Sequence, residues 1–547
     1  MTIPITGITL EGYQVFEKST FIPLDKLTFT FGPNSAGKSA LQDGIALGEK
    51  LLKSKAIKFD ISNIFQPENF DDTEILKLLQ RHWRRQPGNI DSYSPSLKIA
   101  IHQNKNCTPD EFIATQLGKS LPDGISRDYA KDLEVISHWH FYHLEIEDGR
   151  FFFQWDYELH INSELCLSYI GDTFSINLGH AIIKDISGAI DINEALAQYP
   201  DHAKLHGQIL SLKECVFGFQ PSGVDFYEKK KYWLNYPSNL FFDPVKIAEN
   251  DEKRALKELV GEIGLLAGCI ICSTQGNTPI TLKQVSASRN TPTQQDLVFE
   301  VGNCDDHLVE MPNTGDKNLQ SLAKSLASTL MAGITPKSQQ GKLADDINRA
   351  LADHLFLDQG YQLDFDYRVL LSKFNSEAIV NEYELQPSEL GYLIQIFVKD
   401  NHGRRHRIED VGSGIGYLLP VLSATYDAHW SSAVCAIQQP ELHIHPALQA
   451  NLGDIFIEAS NFKQLIIETH SEHLLLRVLK RIRQTHSGTH IAADLKIQAK
   501  DVCVLYFDPS TDGCTYVRHL RISHDGEFMD RWPRGFFAER DQELFDE

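Results

Sequence analysis

The sequence predicts an α/β protein: a mixed, largely parallel sheet with helices, an added antiparallel β lobe, and a largely helical insertion between two halves. Three observations predict it. A strand, a glycine loop and a helix follow one another near the start. Residues 95–180 alternate apolar and polar side chains between acid–glycine turns such as Glu147-Asp148-Gly149. The last part alternates strand and helix patterns over 433–437, 446–459, 464–468, 472–484 and 502–507, an order that makes successive strands parallel.

Taken in order, residues 5–13 and 27–31 read as strands, the second with Leu27, Phe29 and Phe31 alternating. A helix follows, with Leu41, Ile45 and Leu52 at helical spacing. Strand patterns recur at 97–101, 139–146 and 151–161. Residues 181–355 are helical in pattern, for example 252–266 and 318–331, and strands return at 361–371 and 393–398. The chain therefore divides into an N-terminal lobe (1–180), a mostly helical insertion (181–355) and a C-terminal lobe (356–547).

A chain of 547 residues, 42% of them hydrophobic, can bury several cores, and 23% charged residues exclude wholesale disorder. A formal net charge of −22 makes a general coat for nucleic acid a poor expectation. Arg81, Arg84 and Arg85 around Trp83, the run Lys229-Lys230-Lys231, and Arg404, Arg405 and Arg407 read as solvated faces. Nine cysteines without a framework fit a reducing cytosol, and the lone Cys269-x-x-Cys272 has no second pair to complete a zinc site. The start lacks the pattern of a signal peptide, and no stretch reaches the roughly 18 apolar residues of a membrane span. The expectation is a cytoplasmic protein with no membrane partner.

Gly32-Pro33-Asn34-Ser35-Ala36-Gly37-Lys38-Ser39 fits GxxxxGK[ST]. Glycines let the backbone fold into a nest of N–H donors around phosphates, here at Asn34, Ser35, Ala36 and Gly37. The following helix aims its positive end at them. Lys38 adds a cation for the terminal phosphates of ATP, and the Ser39 hydroxyl is a ligand for Mg²⁺.

Far downstream, the apolar run 432–437 leads into Gln438-Gln439-Pro440-Glu441-Leu442-His443-Ile444-His445-Pro446. P-loop proteins carry an acidic pair at the end of such a strand; the first acid holds the shell of Mg²⁺, and the second orients or deprotonates the attacking water. Both places are glutamine here. A carboxamide oxygen at Gln438 can still accept a hydrogen bond from a metal-bound water. Gln439 can position water but cannot take its proton. ATP binding with slow hydrolysis is expected, with Glu441 or Glu468 as stand-in carboxylates. His443 and His445 would need a third ligand to hold a metal, and the same applies to His470 and His473. His470, after the strand 464–468, is placed to report on the γ-phosphate. Asp410-Val411-Gly412-Ser413-Gly414-Ile415-Gly416 opens an apolar helix, and Gly412, Ser413 and Gly414 form a second anion site. Two such sites in one chain make sense if the second faces the ATP of another subunit.

The order of phosphate loop, long insertion, DVGSGIG, QQPELHIHP and ETHSEH resembles the ABC-like AAA-type ATPases related to the OLD (overcoming lysogenization defect) proteins and to Rad50. The resemblance implies a P-loop ABC-type ATPase head whose signature, here Gly412 to Gly414, touches the partner's ATP in a head-to-tail homodimer. Many members have Glu-Glu-Pro-Glu at 438–441, and a subgroup with Glu-Gln-Pro-Glu departs in the same direction. That subgroup often ends in Trp-Pro-x-Gly-Phe-Phe, which Trp532-Pro533-Arg534-Gly535-Phe536-Phe537 matches. Arg289 with Pro292 resembles an arginine–proline element that precedes the second lobe. Size, the acidic-pair departure and this segment are similar to the PtuA family, the ATPases of Septu and retron antiphage systems. That implies a sensor or scaffold holding a separate HNH nuclease subunit and, in retron versions, the reverse transcriptase with its DNA–RNA product. The chain carries no recognisable nuclease motif of its own.

Two other readings remain open. A Rad50-like DNA-repair or DNA-clamping ATPase with real turnover expects a long coiled coil or a basic face, and the insertion shows no sustained heptads. A scaffold that binds nothing at its site requires Lys38 and Ser39 to be relics.

Overall fold

In a computed structural model the described residues are 5–57, 97–105, 133–147, 150–170, 173–177, 216–219, 281–289, 298–301, 309–310, 322, 342–356, 360–370, 391–427, 434–511 and 513–533. The expected helices at 252–266 and most of 318–331 lie outside them, as do Arg81, Arg84, Arg85, Lys229 to Lys231, Cys269, Cys272 and Pro292.

The central layer is a six-stranded sheet with the order β10-β16-β17-β3-β18-β19. Its strands are β3 (Leu27–Phe31), β10 (Leu282–Val285), β16 (Val434–Gln438), β17 (Gln464–Glu468), β18 (Val502–Pro509) and β19 (Thr515–His519). The first five run parallel, and β19 returns antiparallel beside β18. All five residues of β3 and of β17 are buried, because helices and loops cover both faces of a parallel sheet. The edge strand β10 comes from within 181–355, so that stretch contributes to the sheet as well as to helices.

An eight-stranded antiparallel sheet, ordered β2-β1-β4-β5-β6-β7-β8-β9, forms the expected β lobe. It contains β1 (Gly7–Glu11), β2 (Thr20–Pro23), β4 (Leu97–Lys105), β5 (Leu133–Glu147), β6 (Arg150–Ile161), β7 (Glu164–Ile170), β8 (Thr173–Asn177) and β9 (Val216–Phe219). Helix α1 (Lys38–Ile57) packs on its apolar face; a Cβ on Gly44 would meet Leu10, and one on Gly48 would overlap Ile101. A third sheet joins β11 (Val298–Val301), β12 (Val309–Glu310), β13 (Gln362–Leu370), β14 (Gly391–Lys399) and β15 (Arg405–His406).

Four further helices are α2 (Lys342–Ala350), α3 (Ser413–Tyr426), α4 (Pro446–Ser460) and α5 (Glu472–His486). Their apolar sides share one core with the six-stranded sheet. Between α4 and α5, buried Asp454 accepts from Arg477 at 2.5 Å and from two nitrogens of Arg481 at 2.7 Å. Lys463, fully buried just before β17, donates to Ala424 O and Asp427 O at the end of α3 and so caps that helix. Trp532, expected as part of a C-terminal motif, packs edge-on against Phe31 and Phe528. Arg404 and Arg405 are tied to Asp400, Asp364 and Asp366, as a solvated ion-paired face would be. Among the described residues no helix is long and apolar enough to cross a membrane.

Candidate functional site

The sheet order puts β16, β17 and β3 side by side, so three motifs from distant parts of the chain leave the same edge. Ligands of open parallel sheets bind beyond the carboxyl ends of their strands. Here those ends carry the phosphate loop after Phe31, Gln438-Gln439 after β16, and Glu468-Thr469-His470 after β17. Backbone bonds join them: Gln439 N donates to Glu468 O at 2.7 Å, and Thr469 N to Thr30 O at 3.3 Å.

The phosphate loop is a strained turn fixed from behind. Gly32 has φ +141° and Gly37 φ +95°, and Ser35 takes the left-handed φ of +64° despite its side chain. A Cβ on Gly32 would lie 2.5 Å from Phe507 O, and one on Gly37 would overlap Val15. Thr515 donates to Ala36 O at 2.9 Å from β19. Asn34, Ser35 and Ser39 are exposed at the mouth of this nest. The cradle fits a polyphosphate.

Lys38 is buried, and its Nζ donates to Gly32 O and Pro33 O at 2.9 Å each, with Glu468 Oε1 at 3.7 Å. Burial lowers its pKa while Glu468 opposes the shift. Burial also raises the Glu468 pKa, opposed by Lys38 and reinforced by the charge of Glu441. One oxygen of each carboxyl, Oε2 in both, is buried without a partner. Glu441 accepts from His470 N at 2.7 Å, and burial raises its pKa as well. The His470 imidazole is exposed beside this group; desolvation and Lys38 lower its pKa. The structure thus gathers Lys38, Glu441, Glu468 and His470.

Gln438 does not stand as the sequence suggests. Its carboxamide was expected to face a hydrated Mg²⁺ near Ser39. Instead its Oε1 accepts from Ala287 N at 3.1 Å and its Nε2 donates to Gln42 Oε1 at 3.1 Å. Gln438 thus bridges α1 and the loop after β10, and its Oε1 keeps a second lone pair. Ser39 keeps an exposed hydroxyl, but among the described residues no three His, Cys, Asp or Glu side chains converge to hold a metal ion. The residues fit the nucleotide; toward Mg²⁺ they offer Ser39 and, where an acid would stand, the neutral amide of Gln438. His443 stacks on Tyr417 with ring centroids 4.4 Å apart, and His445 caps α4 by accepting from Ala447 N.

The signature helix meets the strand end in the same chain. Gly412 caps α3 and is exposed, with open space around its Cα, while a Cβ on Gly414 would stand 3.3 Å from His443 O. Ser413 is the first residue of α3. Arg289 ties these parts together. Only 7% exposed, it donates to Ser286 O (3.1 Å), Gln438 O (2.9 Å), Gln439 O (2.8 Å) and Tyr417 O (3.1 Å). Gln439 itself is held at φ +44°. Sequence reasoning singled out Arg289 only by resemblance, and it missed Gln42. The signal for Gln42 was helical spacing, since it sits one turn beyond Lys38 and Ser39 on α1.

Residues 318–477 match the family described as "AAA domain, putative AbiEii toxin, Type IV TA system". No curated protein matches the chain at a significant level. Among solved structures, the chain is similar to an Smc head bound to the C-terminal winged-helix domain of ScpA, with 13% identity, a TM-score of 0.40, and coverage of 95% of this chain and 98% of that one. The SMC head domain of Thermotoga maritima gives 9%, 0.34, 95% and 100%. A Pyrococcus furiosus Smc head with an extended coiled coil, bound to the C-terminal domain of ScpA, gives 12%, 0.34, 95% and 97%.

Proposed function

We propose that this chain is a nucleotide-gated regulatory subunit. Its AAA/ABC-type ATPase domain binds ATP, and two copies close head-to-tail over it with Gly412, Ser413 and Gly414 of one facing the phosphates held by the other. The closed and open states differ in their hold on a separate HNH-type nuclease, in a cytoplasmic antiphage complex of the Septu or retron kind. A retron reverse transcriptase with its DNA–RNA product is the further partner that the resemblance implies. A sensor of this kind needs only differential affinity for two conformations.

One observation carries the reading: an intact phosphate cradle with Lys38 sits beside carboxamides at Gln438 and Gln439, where fast hydrolysis needs acids. Glu441 accepts the His470 N–H and Glu468 faces Lys38, while one oxygen of each stays without a partner. The match of residues 318–477 to a family described by a toxin of a toxin–antitoxin system supports a defence setting. The test is a steady-state ATPase assay run beside ATP binding and native mass. Binding with a dimer or larger assembly and negligible turnover supports the proposal. Brisk turnover refutes it and favours a Rad50-like DNA-clamping ATPase.

A further inference from the structure

We infer that this site needs no divalent cation to bind the nucleoside triphosphate, an inference that rests on the nucleotide-site reading above. In a metal-dependent P-loop site the cation bridges phosphate oxygens to a carboxylate shell. It also screens the repulsion between that carboxylate and the phosphates. The screening role presupposes an acid at the end of β16, and the bridging role is weaker without one. Here that place holds a neutral amide, held at both ends by Ala287 N and Gln42 Oε1, that brings no charge to a cation.

The orientation of that amide is fixed by elementary chemistry. The Ala287 N–H can only donate, so the Gln438 atom facing it is oxygen. Its NH₂ group then points at Gln42, and the Gln42 atom that receives it is likewise oxygen. This leaves Nε2 of Gln42, a residue 3% exposed, buried without a partner. Gln42 lies in the first turns of α1, whose positive end faces the phosphate loop. An orphaned N–H donor there suits an anion or a water and does not suit a metal ion.

The remaining charges agree. Lys38 and the helix end supply positive charge. Of the two nearby carboxyls, Glu468 faces Lys38 at 3.7 Å and Glu441 accepts the His470 N–H. A triphosphate bare of metal therefore meets a cradle with a cation at Lys38 and no carboxylate at the end of β16 to repel it.

The experiment is equilibrium binding of a fluorescent, non-hydrolysable ATP analogue to the full chain, in Mg²⁺ and in EDTA. The expected dissociation constants agree within about threefold, a difference below roughly 0.7 kcal/mol. Gln438→Asp introduces the missing charge, so its binding should weaken roughly tenfold or more in EDTA and recover when Mg²⁺ is added. Wild-type binding in Mg²⁺ alone overturns the inference and leaves the nucleotide site standing. No binding in either medium overturns both. Equal behaviour of Gln438→Asp in the two media also overturns it.

Discussion

Arg289→Ala should cost the domain a large part of its stability. The guanidinium spends four hydrogen bonds on carbonyls of three segments: Ser286 after β10, Gln438 and Gln439 after β16, and Tyr417 in α3. A hydrogen bond from a charged donor contributes about 1.5–3 kcal/mol, so simple addition would give roughly 6–12 kcal/mol. Bonds from one group are not independent, and water can enter the space that alanine leaves. Breaking buried charged networks costs about 3–5 kcal/mol, and we take that range. Arg289→Lys keeps the charge but has three donors on one atom, which cannot reach four carbonyls laid out for a planar fork. It should recover less than half of the loss. Urea denaturation followed by tryptophan fluorescence measures both. A loss below about 1 kcal/mol for Arg289→Ala would show that the clamp is incidental. Nucleotide affinity in the same samples gives a second readout, because Gln439 is held in its left-handed turn by this contact and by Glu468 O.

Three further expectations are independent of it. Gln439→Glu restores a proton acceptor and should raise ATP turnover by roughly 10²-fold, the lower range for a general base; an unchanged rate in a phosphate-release assay refutes the glutamine argument. Folding raises the Asp25 pKa from 3.8 to about 6, chiefly by burial. The stability it contributes is then complete below pH 3.8 and lost as pH rises through 6. Asp25→Asn should stabilise the protein by about 1–2 kcal/mol at pH 8, discounted for partial exposure, and by nothing near pH 4; equal gains at both pH values in thermal melts would refute it. Asp454→Asn leaves Arg477 and Arg481 short of their shared carboxylate and should cost about 2–4 kcal/mol in urea denaturation, with a change near zero as the contrary result.

The parts of the fold set by local pattern were legible in the sequence. The strand 464–468 and the strand 27–31 fall where the apolar pattern puts them, and Pro446 and Ser471 mark helix starts by familiar capping chemistry. The phosphate loop was legible because its glycines answer to backbone angles that few other residues adopt. Partner choice was not. The four residues Leu282 to Val285 carry too short a pattern to announce a parallel strand, and their neighbour β16 lies about 150 residues away. Gln438 illustrates the limit at the site. Residue type told that it is neutral, but its bonds to Gln42 and Ala287 depend on how α1 and β10 are brought beside it.

Strand β3 has a consequence for how the chain is made. It lies between β17 and β18, and both are encoded more than 430 residues after it. A ribosome adding about 5–20 residues per second needs roughly 20–90 seconds to deliver them. Through that interval an apolar strand and the loop that follows it wait without neighbours on either side. A prematurely stopped chain carries a phosphate loop whose strand lacks both of its neighbours. Synthesis itself thus keeps an unfinished copy from acting.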